Sequence, residues 1–219
     1  NPNPLIQGSK LLHQFKVYTI RETVQRYLLE NFKIQSIFKV HPFYEYECNK
    51  EPYESHAVTI SRIDFDKNTD LILRANQLIE DPKKRVHIFG AENRIYVHHK
   101  LNKYNFGAYW KGKFPKNLSP TYENKSILQD AKYMIDMSTI KNDGGGTQYT
   151  FLEAIYEDCI LILHNELISK GSLFKSGINC LGVSNEEELA SILNNDIDED
   201  LTNLILKNSK KILEDHIKY

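Results

Sequence analysis

From residue 56 onward the hydrophobic positions fall into short apolar runs separated by amphipathic stretches. The runs are A-V-T-I-S (57–61), V-H-I-F-G (86–90), G-A-Y-W-K-G (107–112), M-I-D-M-S (134–138), I-L-I-L-H (160–164) and I-N-C-L-G-V (178–183). Each has the length of a strand, and runs that stay apolar on successive residues suit strands buried on both faces. Helical periodicity fills the gaps: T-D-L-I-L-R-A-N-Q-L-I (69–79), 92 to about 104, a stretch ending near 131, and T-F-L-E-A-I-Y (150–156), with 185–193 and about 198–216 closing the chain. Strands alternating with helices of this length predict an α/β domain, a Rossmann-like doubly wound parallel sheet covered on both faces. Such sheets bind ligands at the carboxyl ends of their strands.

The first part of the chain reads differently. F-K-V-Y-T-I (15–20) alternates like a strand and leads into R-E-T-V-Q-R-Y-L-L-E-N-F, where Val24, Tyr27, Leu28 and Phe32 recur at helical spacing. Thr19 and Glu22 fit a capping box, which places the helix start near Ile20. K-I-Q-S-I-F-K-V (33–40) is a further strand, and His41-Pro42 followed by polar and aromatic residues to Ser55 marks a boundary. The expected organisation is a tail of a second Rossmann-like domain over 1–42, a linker over 43–55, a ligand-binding domain over 56–196 and a terminal helix over 197–219.

The stretch from Met134 to Asn165 concentrates the chemistry: a buried strand, a loop with Gly144, Gly145 and Gly146, a helix and a second buried strand. A helix N-terminus carries unpaired N–H donors and partial positive charge, and glycine lets a ligand approach the backbone, so an anion suits this place. A second loop, S-R-I-D-F-D-K-N-T after the first strand of the domain, offers Arg62 and Lys67, a fork and a point charge that together suit a diphosphate. Taken alone, those residues also read as surface charges with Arg62 paired to Asp64 or Asp66. Glu153, one turn into the helix, could accept hydrogen bonds from two ribose hydroxyls or serve the helix dipole.

Arg62 and Lys67 after the first strand, G-K-F-P after the third, M-S ahead of the glycine loop, and F-L-E-A followed by I-L-I-L together resemble the C-terminal half of retaining GT-B glycosyltransferases. The pattern is most similar to the large family with G-R-x4-K and E-x7-E motifs, glycosyltransferase family 4-like. K-V-Y-T-I-R-E-T-V-Q-R-Y-L-L is similar to the last strand and helix of that family's N-terminal domain, and 41–55 to its interdomain linker. The resemblance implies that Arg62 and Lys67 hold the donor diphosphate, Lys113 and Phe114 the base, Glu153 the ribose, and Gly144, Gly145, Gly146, Thr147, Gln148 and Tyr149 the donor loop. The first glutamate of E-x7-E has no match, since Gly145 stands eight positions before Glu153, and Asp143 is its expected substitute. The implied reaction moves a sugar from a UDP- or GDP-sugar to an acceptor hydroxyl with retention, without cofactor or metal. The acceptor would be a glycan, a lipid-linked molecule or modified DNA, and Q-Y-T-F-L-E is similar to phage glucosyltransferases that modify hydroxymethylated DNA bases.

Composition adds bounds. The 219 residues allow one large domain, or one domain and pieces of another. Hydrophobic residues at 41% and charged residues at 26% exclude a disordered chain, and a formal net charge of -1 offers no strongly basic nucleic-acid surface. Cys48, Cys159 and Cys180 are far apart, odd in number and without C-x-x-C, so a reducing, cytoplasmic setting is expected rather than a disulfide framework or zinc site. No apolar run approaches the ~18 residues of a membrane span. The chain begins with Asn1 and reads as a fragment or processed product.

Three other readings stay open. Asp64-Phe65-Asp66 matches the D-x-D metal signature of the other main glycosyltransferase architecture. Gly144-x-Gly146 with Glu166 further on fits a dinucleotide-binding oxidoreductase. The third is a nucleotide-binding domain without catalysis. His98-His99 lack the i, i+4 spacing of helical metal ligands. Trp110 and Phe114 read as core or as base-stacking residues, and D-I-D-E-D (196–200) as the acidic start of a solvated helix.

Overall fold

The computed structural model of the chain describes residues 10–47, 52–113, 124–139, 148–168 and 173–217. A small unit comes first: β1 (Val17–Thr19) and β2 (Ser36–Phe38) pair in parallel through the crossover helix α1 (Glu22–Phe32). The expected capping box does not form. Helix α1 starts at Glu22 after an extended Arg21, with no side-chain cap. Thr19 lies two residues too early because β1 keeps it: its carbonyl accepts Lys39 N–H at 2.9 Å, while its buried hydroxyl has no hydrogen-bond partner among the described residues. Phe15, Tyr18, Val24, Leu29 and Ile37 of this unit are exposed.

The second sheet has six strands, β3 (Ala57–Ile60), β4 (Val86–Phe89), β5 (Trp110–Gly112), β6 (Tyr133–Asp136), β7 (Ile160–His164) and β8 (Leu181–Val183). All pairings are parallel and the order is β5-β4-β3-β6-β7-β8. Every residue of β3, β6 and β7 is buried, which is why these segments read as unbroken apolar runs. One face is covered by α2 (Thr69–Leu78) and α7 (Glu186–Asn195), through Leu71, Ile72, Leu189 and Leu193. The other is covered by α5 (Asn124–Leu128), α6 (Tyr149–Tyr156) and the end of α8 (Glu199–Ile217), through Ile127, Leu152, Ile155 and Leu213. Burying one such leucine or isoleucine contributes about 1.5–3 kcal/mol.

The single helix expected over 92–104 is instead three short pieces. Asn93 starts α3 (Arg94–Tyr96) by accepting the Ile95 and Tyr96 N–H groups, a π turn follows over Val97–Leu101, and a 3₁₀ turn over Asn102–Tyr104. The wider turn brings residues five apart to one side, so that Tyr96 and Leu101 are both buried, at 2% and 0% exposure. Asn105, at φ 55°, then starts α4 (Phe106–Tyr109), which takes up the first half of the segment expected as strand 107–112. The strand expected over 178–183 likewise shortens to β8, because 177–179 turn at Gly177, φ 74°.

Residues 43–55, expected as a linker, dock where they are described: Phe43 is 3% exposed in the second core and its N–H donates to His216 O at 2.9 Å, while Tyr53 N–H donates to Ser126 O at 2.8 Å. No helix among the described residues is long and apolar enough to cross a membrane.

The amino end of the sheet is stapled by one carboxylate. Asp196 accepts Lys84 Nζ at 2.7 Å, Lys132 Nζ at 2.9 Å and Tyr133 Oη at 3.1 Å, and lies 3.2 Å from His56 Nε2 without alignment for a hydrogen bond. These partners flank or begin β4, β6 and β3. Burial works to raise the Asp196 pKa, but hydrogen bonds from Lys84, Lys132 and Tyr133 more than offset it and bring it from 3.8 down to about 2. A depressed folded pKa stabilises above the unfolded value and loses that contribution as pH falls. The stability gap between wild type and Asp196→Asn is therefore expected to be on the order of 2 kcal/mol at neutral pH and to close between about pH 4 and pH 2. Urea unfolding of both proteins across that range checks it; a gap independent of pH refutes it.

Candidate functional site

Counted from its first strand, the main sheet runs 3-2-1-4-5-6, with the reversal between β3 and β6. The connections from these neighbours leave toward opposite faces and open a crevice at their carboxyl ends, the usual ligand position in such sheets. The two loops singled out in the sequence are the ones that follow β3 and β6.

The loops are tied together. Lys67 Nζ donates to Ser138 Oγ at 2.7 Å and sits 3.6 Å from Asp136 Oδ2. Asn68 Nδ2 donates to Met137 O at 2.9 Å and Thr139 Oγ1 at 3.1 Å, and Thr139 N–H donates to Asp66 O at 3.1 Å. Asp136 accepts the Ser138 backbone N–H at 2.8 Å and also the Ser138 hydroxyl. Lys67 and Asp136 are 8% and 2% exposed, so a buried ion pair underlies the crevice. Asp136 closes β6 inside an apolar run, and nothing in the local sequence marks it as the partner of Lys67.

The two cations expected to act alike are placed differently. Arg62 has a side chain 68% exposed, 3.3 Å from Asp64 Oδ2 and 3.5 Å from Asp66 Oδ2, while Lys67 is committed to Ser138 and Asp136. Asp64 also caps a 3₁₀ turn by accepting Phe65 N–H at 2.8 Å, and accepts Asn93 Nδ2 at 2.9 Å. Both carboxylates of the D-x-D sequence thus serve Arg62. Among the described residues no group of three or more His, Cys, Asp or Glu is placed to hold a metal ion.

Gln148 stands extended before α6, its carbonyl accepting Phe151 N–H at 3.0 Å. The Tyr149 ring lies 5.1 Å from His41 and 5.5 Å from Phe43, and Tyr156, on the same side of α6, meets Phe43 and Tyr46. Glu153 falls between these two tyrosines on that face and is 6% exposed. Burial, and then the Glu157 and Glu153 carboxylates, push the Tyr46 phenol up. Lys113 is half-buried just beyond β5, at the far edge of the sheet. Asp143, Gly144, Gly145, Gly146, Thr147 and Phe114 lie outside the described residues. The structure thus brings Lys67 to the β6 loop, leaves Arg62 exposed beside Asp64 and Asp66, and seats Tyr149 and Glu153 against residues 41–46. A dinucleotide fingerprint belongs after the first strand of the sheet, whereas Gly144-x-Gly146 follows the fourth and the first is followed by S-R-I-D-F-D-K.

No family model matches the sequence, and neither does any curated protein. Solved structures do match. Anabaena Alr3699/HepE in complex with UDP and glucose has a TM-score of 0.65 at 13% identity, over 94% of this chain and 61% of HepE. WaaG, a glycosyltransferase involved in lipopolysaccharide biosynthesis, has 0.61 at 12% identity, over 91% of this chain and 58% of WaaG. The fold is that of the GT-B glycosyltransferases. The pneumococcal O-GlcNAc transferase GtfA in complex with UDP and GlcNAc has a TM-score of 0.62 at 17% identity, over 91% of this chain and 41% of GtfA. This chain therefore spans 41% to 61% of these GT-B proteins.

Proposed function

We propose that the chain is the donor-binding part of a glycosyltransferase that takes a sugar from a nucleotide-sugar and passes it, with retention, to an acceptor hydroxyl. The observation that carries this is the junction of the β3 and β6 loops at the reversal of a GT-B sheet, with a buried lysine in the junction and an exposed guanidinium on the β3 loop. Solved neighbours with that fold are described with UDP or UDP-glucose. On this reading Arg62 leaves Asp64 and Asp66 for the diphosphate, Glu153 and Lys113 serve ribose and base, and Asp143 substitutes for the missing acid of the E-x7-E pattern. Charge developing on the leaving diphosphate would be met by fixed donors rather than by solvent. The apolar residues exposed on β1, α1 and β2 support reading that unit as part of a second domain, which would supply most acceptor contacts.

Calorimetric titration with UDP, GDP and UDP-glucose tests the site. Arg62→Ala, a change at an exposed position, is expected to weaken UDP binding by about 1–3 kcal/mol with the unfolding midpoint unchanged. Equal affinity in both proteins removes Arg62 from the site, and binding of NAD in place of any nucleoside diphosphate removes the reading. Product stereochemistry by NMR, once an acceptor is in hand, tests retention.

A further inference from the structure

A net charge of -1 hides a division along the chain. Residues 93–122 hold six lysines and arginines, two histidines and neither aspartate nor glutamate, while the other 189 residues, with 22 of the 28 cations and all 29 acids, sum to -7. The described part of this basic segment is the helical run 94–104, then α4 and the edge strand β5. Tyr96 and Leu101 are buried and Val97 and Tyr104 pack against the core, which turns the opposite side of the run outward. That side presents Arg94, His98, His99, Lys100, Asn102 and Lys103, all exposed. The π turn widens the run, so that three residues in succession, His98 to Lys100, face out between Val97 and Leu101. Ile95, next to Arg94, is 64% exposed, and Lys111 is exposed on β5 at the open edge of the sheet.

These cations keep their charge for solvent or a partner. Among the described residues Arg94, Lys100, Lys103 and Lys111 form no ion pair. Asp70, on α2 beside the run, is committed to Tyr96 Oη and Arg74, each at 2.7 Å. Asp64 is committed to Asn93 Nδ2, Phe65 N–H and Arg62. The Tyr104 phenol registers the field, since hydrogen bonds from Lys103 and then Arg74 hold its pKa below the ordinary value.

The make-up of the face decides between polyanions. Nucleic acid is gripped by arginine forks and by aromatic rings under unstacked bases. Here one arginine stands among lysines, Tyr96 and Phe106 are turned into the core, and the exposed apolar residue is aliphatic. Lysine point charges around an exposed isoleucine suit anionic lipid, where headgroups meet the charges and the side chain enters the acyl boundary. We propose that the outer face of residues 94–104 docks the protein on an anionic membrane surface, with Arg94, Lys100 and Lys103 at the phosphate headgroups and Ile95 inserted between them. The contact is peripheral, and it goes beyond the donor-site reading without depending on it.

Flotation of the full chain with phosphatidylcholine vesicles, with and without phosphatidylglycerol, tests the face at low and high salt. Binding is expected only with phosphatidylglycerol and at low salt, because attraction between exposed charges and headgroups is screened within a Debye length. Lys100→Glu/Lys103→Glu should lower the partition coefficient about 25-fold or more, roughly fivefold for each lysine. Ile95→Ser should lower it about 3- to 10-fold with every lysine in place. Lys207→Glu/Lys211→Glu makes the same charge change at exposed positions of α8 and should leave binding nearly as in wild type. All five positions are exposed, and an unchanged unfolding midpoint confirms that each variant is folded. No binding to phosphatidylglycerol vesicles, or an equal effect of the two double variants, overturns the proposal. Retention on duplex DNA without retention on vesicles also overturns it and assigns the face to nucleic acid. An unaltered Ile95→Ser variant overturns the insertion of that side chain. UDP titration of the same variants is expected to match wild type, so a failure of docking and a failure of donor binding are read separately.

Discussion

Replacing Lys67 by methionine is expected to lower stability by about 3–5 kcal/mol, the scale for leaving a buried charge without its counterion. Methionine keeps most of the volume, so the loss reports charge rather than a cavity. The carboxylate left behind is Asp136, 2% exposed, whose Oδ2 faces Lys67 Nζ at 3.6 Å and has no hydrogen-bond partner among the described residues. Adding Asp136→Asn removes that charge while keeping an acceptor for the Ser138 N–H, and should recover most of the stability. Urea denaturation of the two single variants and the double variant gives the coupling energy directly. A Lys67→Met cost below about 1 kcal/mol, or a double variant no more stable than Lys67→Met, would contradict a stabilising buried pair. The same arrangement decides how binding experiments are read. A weakened response to UDP in a Lys67 variant mixes lost contact with a loosened junction, whereas Arg62, 68% exposed, can be removed without that ambiguity.

What the sequence disclosed follows from the range over which each feature is determined. β3, β6 and β7 are buried at every residue, so a contiguous apolar run was enough to find them, and their alternation with helices was enough for the α/β class. Both loops of the crevice were found because βα loops in a doubly wound sheet share one edge. Strand order is set by pairings between distant segments, and so is the commitment of Lys67, whose partners lie 69 to 71 positions away along the chain. A loop cation destined for a buried ion pair looks the same in sequence as one destined for solvent. His164 ends an apolar run, and nothing in that run shows that its Nδ1 accepts the Glu166 N–H two residues on. The break in the 92–104 helix was also out of reach, since a π turn is chosen by which residues must face the core.

Gly90 ties the site to the fold most sharply, and Gly90→Ala is expected to cost about 3–5 kcal/mol, combining backbone strain with a forced displacement. For a chain of this size that lowers the unfolding midpoint by roughly 10 °C. Gly90 follows β4 at φ +153°, and an added Cβ would lie 1.7 Å from the carbonyl oxygen of Ser61 and 2.9 Å from its carbon. Neither backbone can yield cheaply. Gly90 donates to Gly112 O at 2.9 Å and accepts Trp110 Nε1 at 3.1 Å, while Ser61 N–H donates to Phe89 O at 3.1 Å. Relief requires parting β3 from β4 at their carboxyl ends or tipping the Ser61 peptide, and either movement carries Arg62 with it. UDP affinity should therefore fall in Gly90→Ala even at temperatures where the variant is folded. Gly107→Ala is the matched control: that glycine lies within α4 and a Cβ there meets nothing within 4 Å, so a neutral or slightly stabilising change is expected. Thermal unfolding of both variants with and without UDP separates the cases. A Gly90→Ala protein that melts within about 2 °C of wild type, a shift of under ~1 kcal/mol, would mean that the Ser61 to Gly90 approach is not what fixes the loop bearing Arg62.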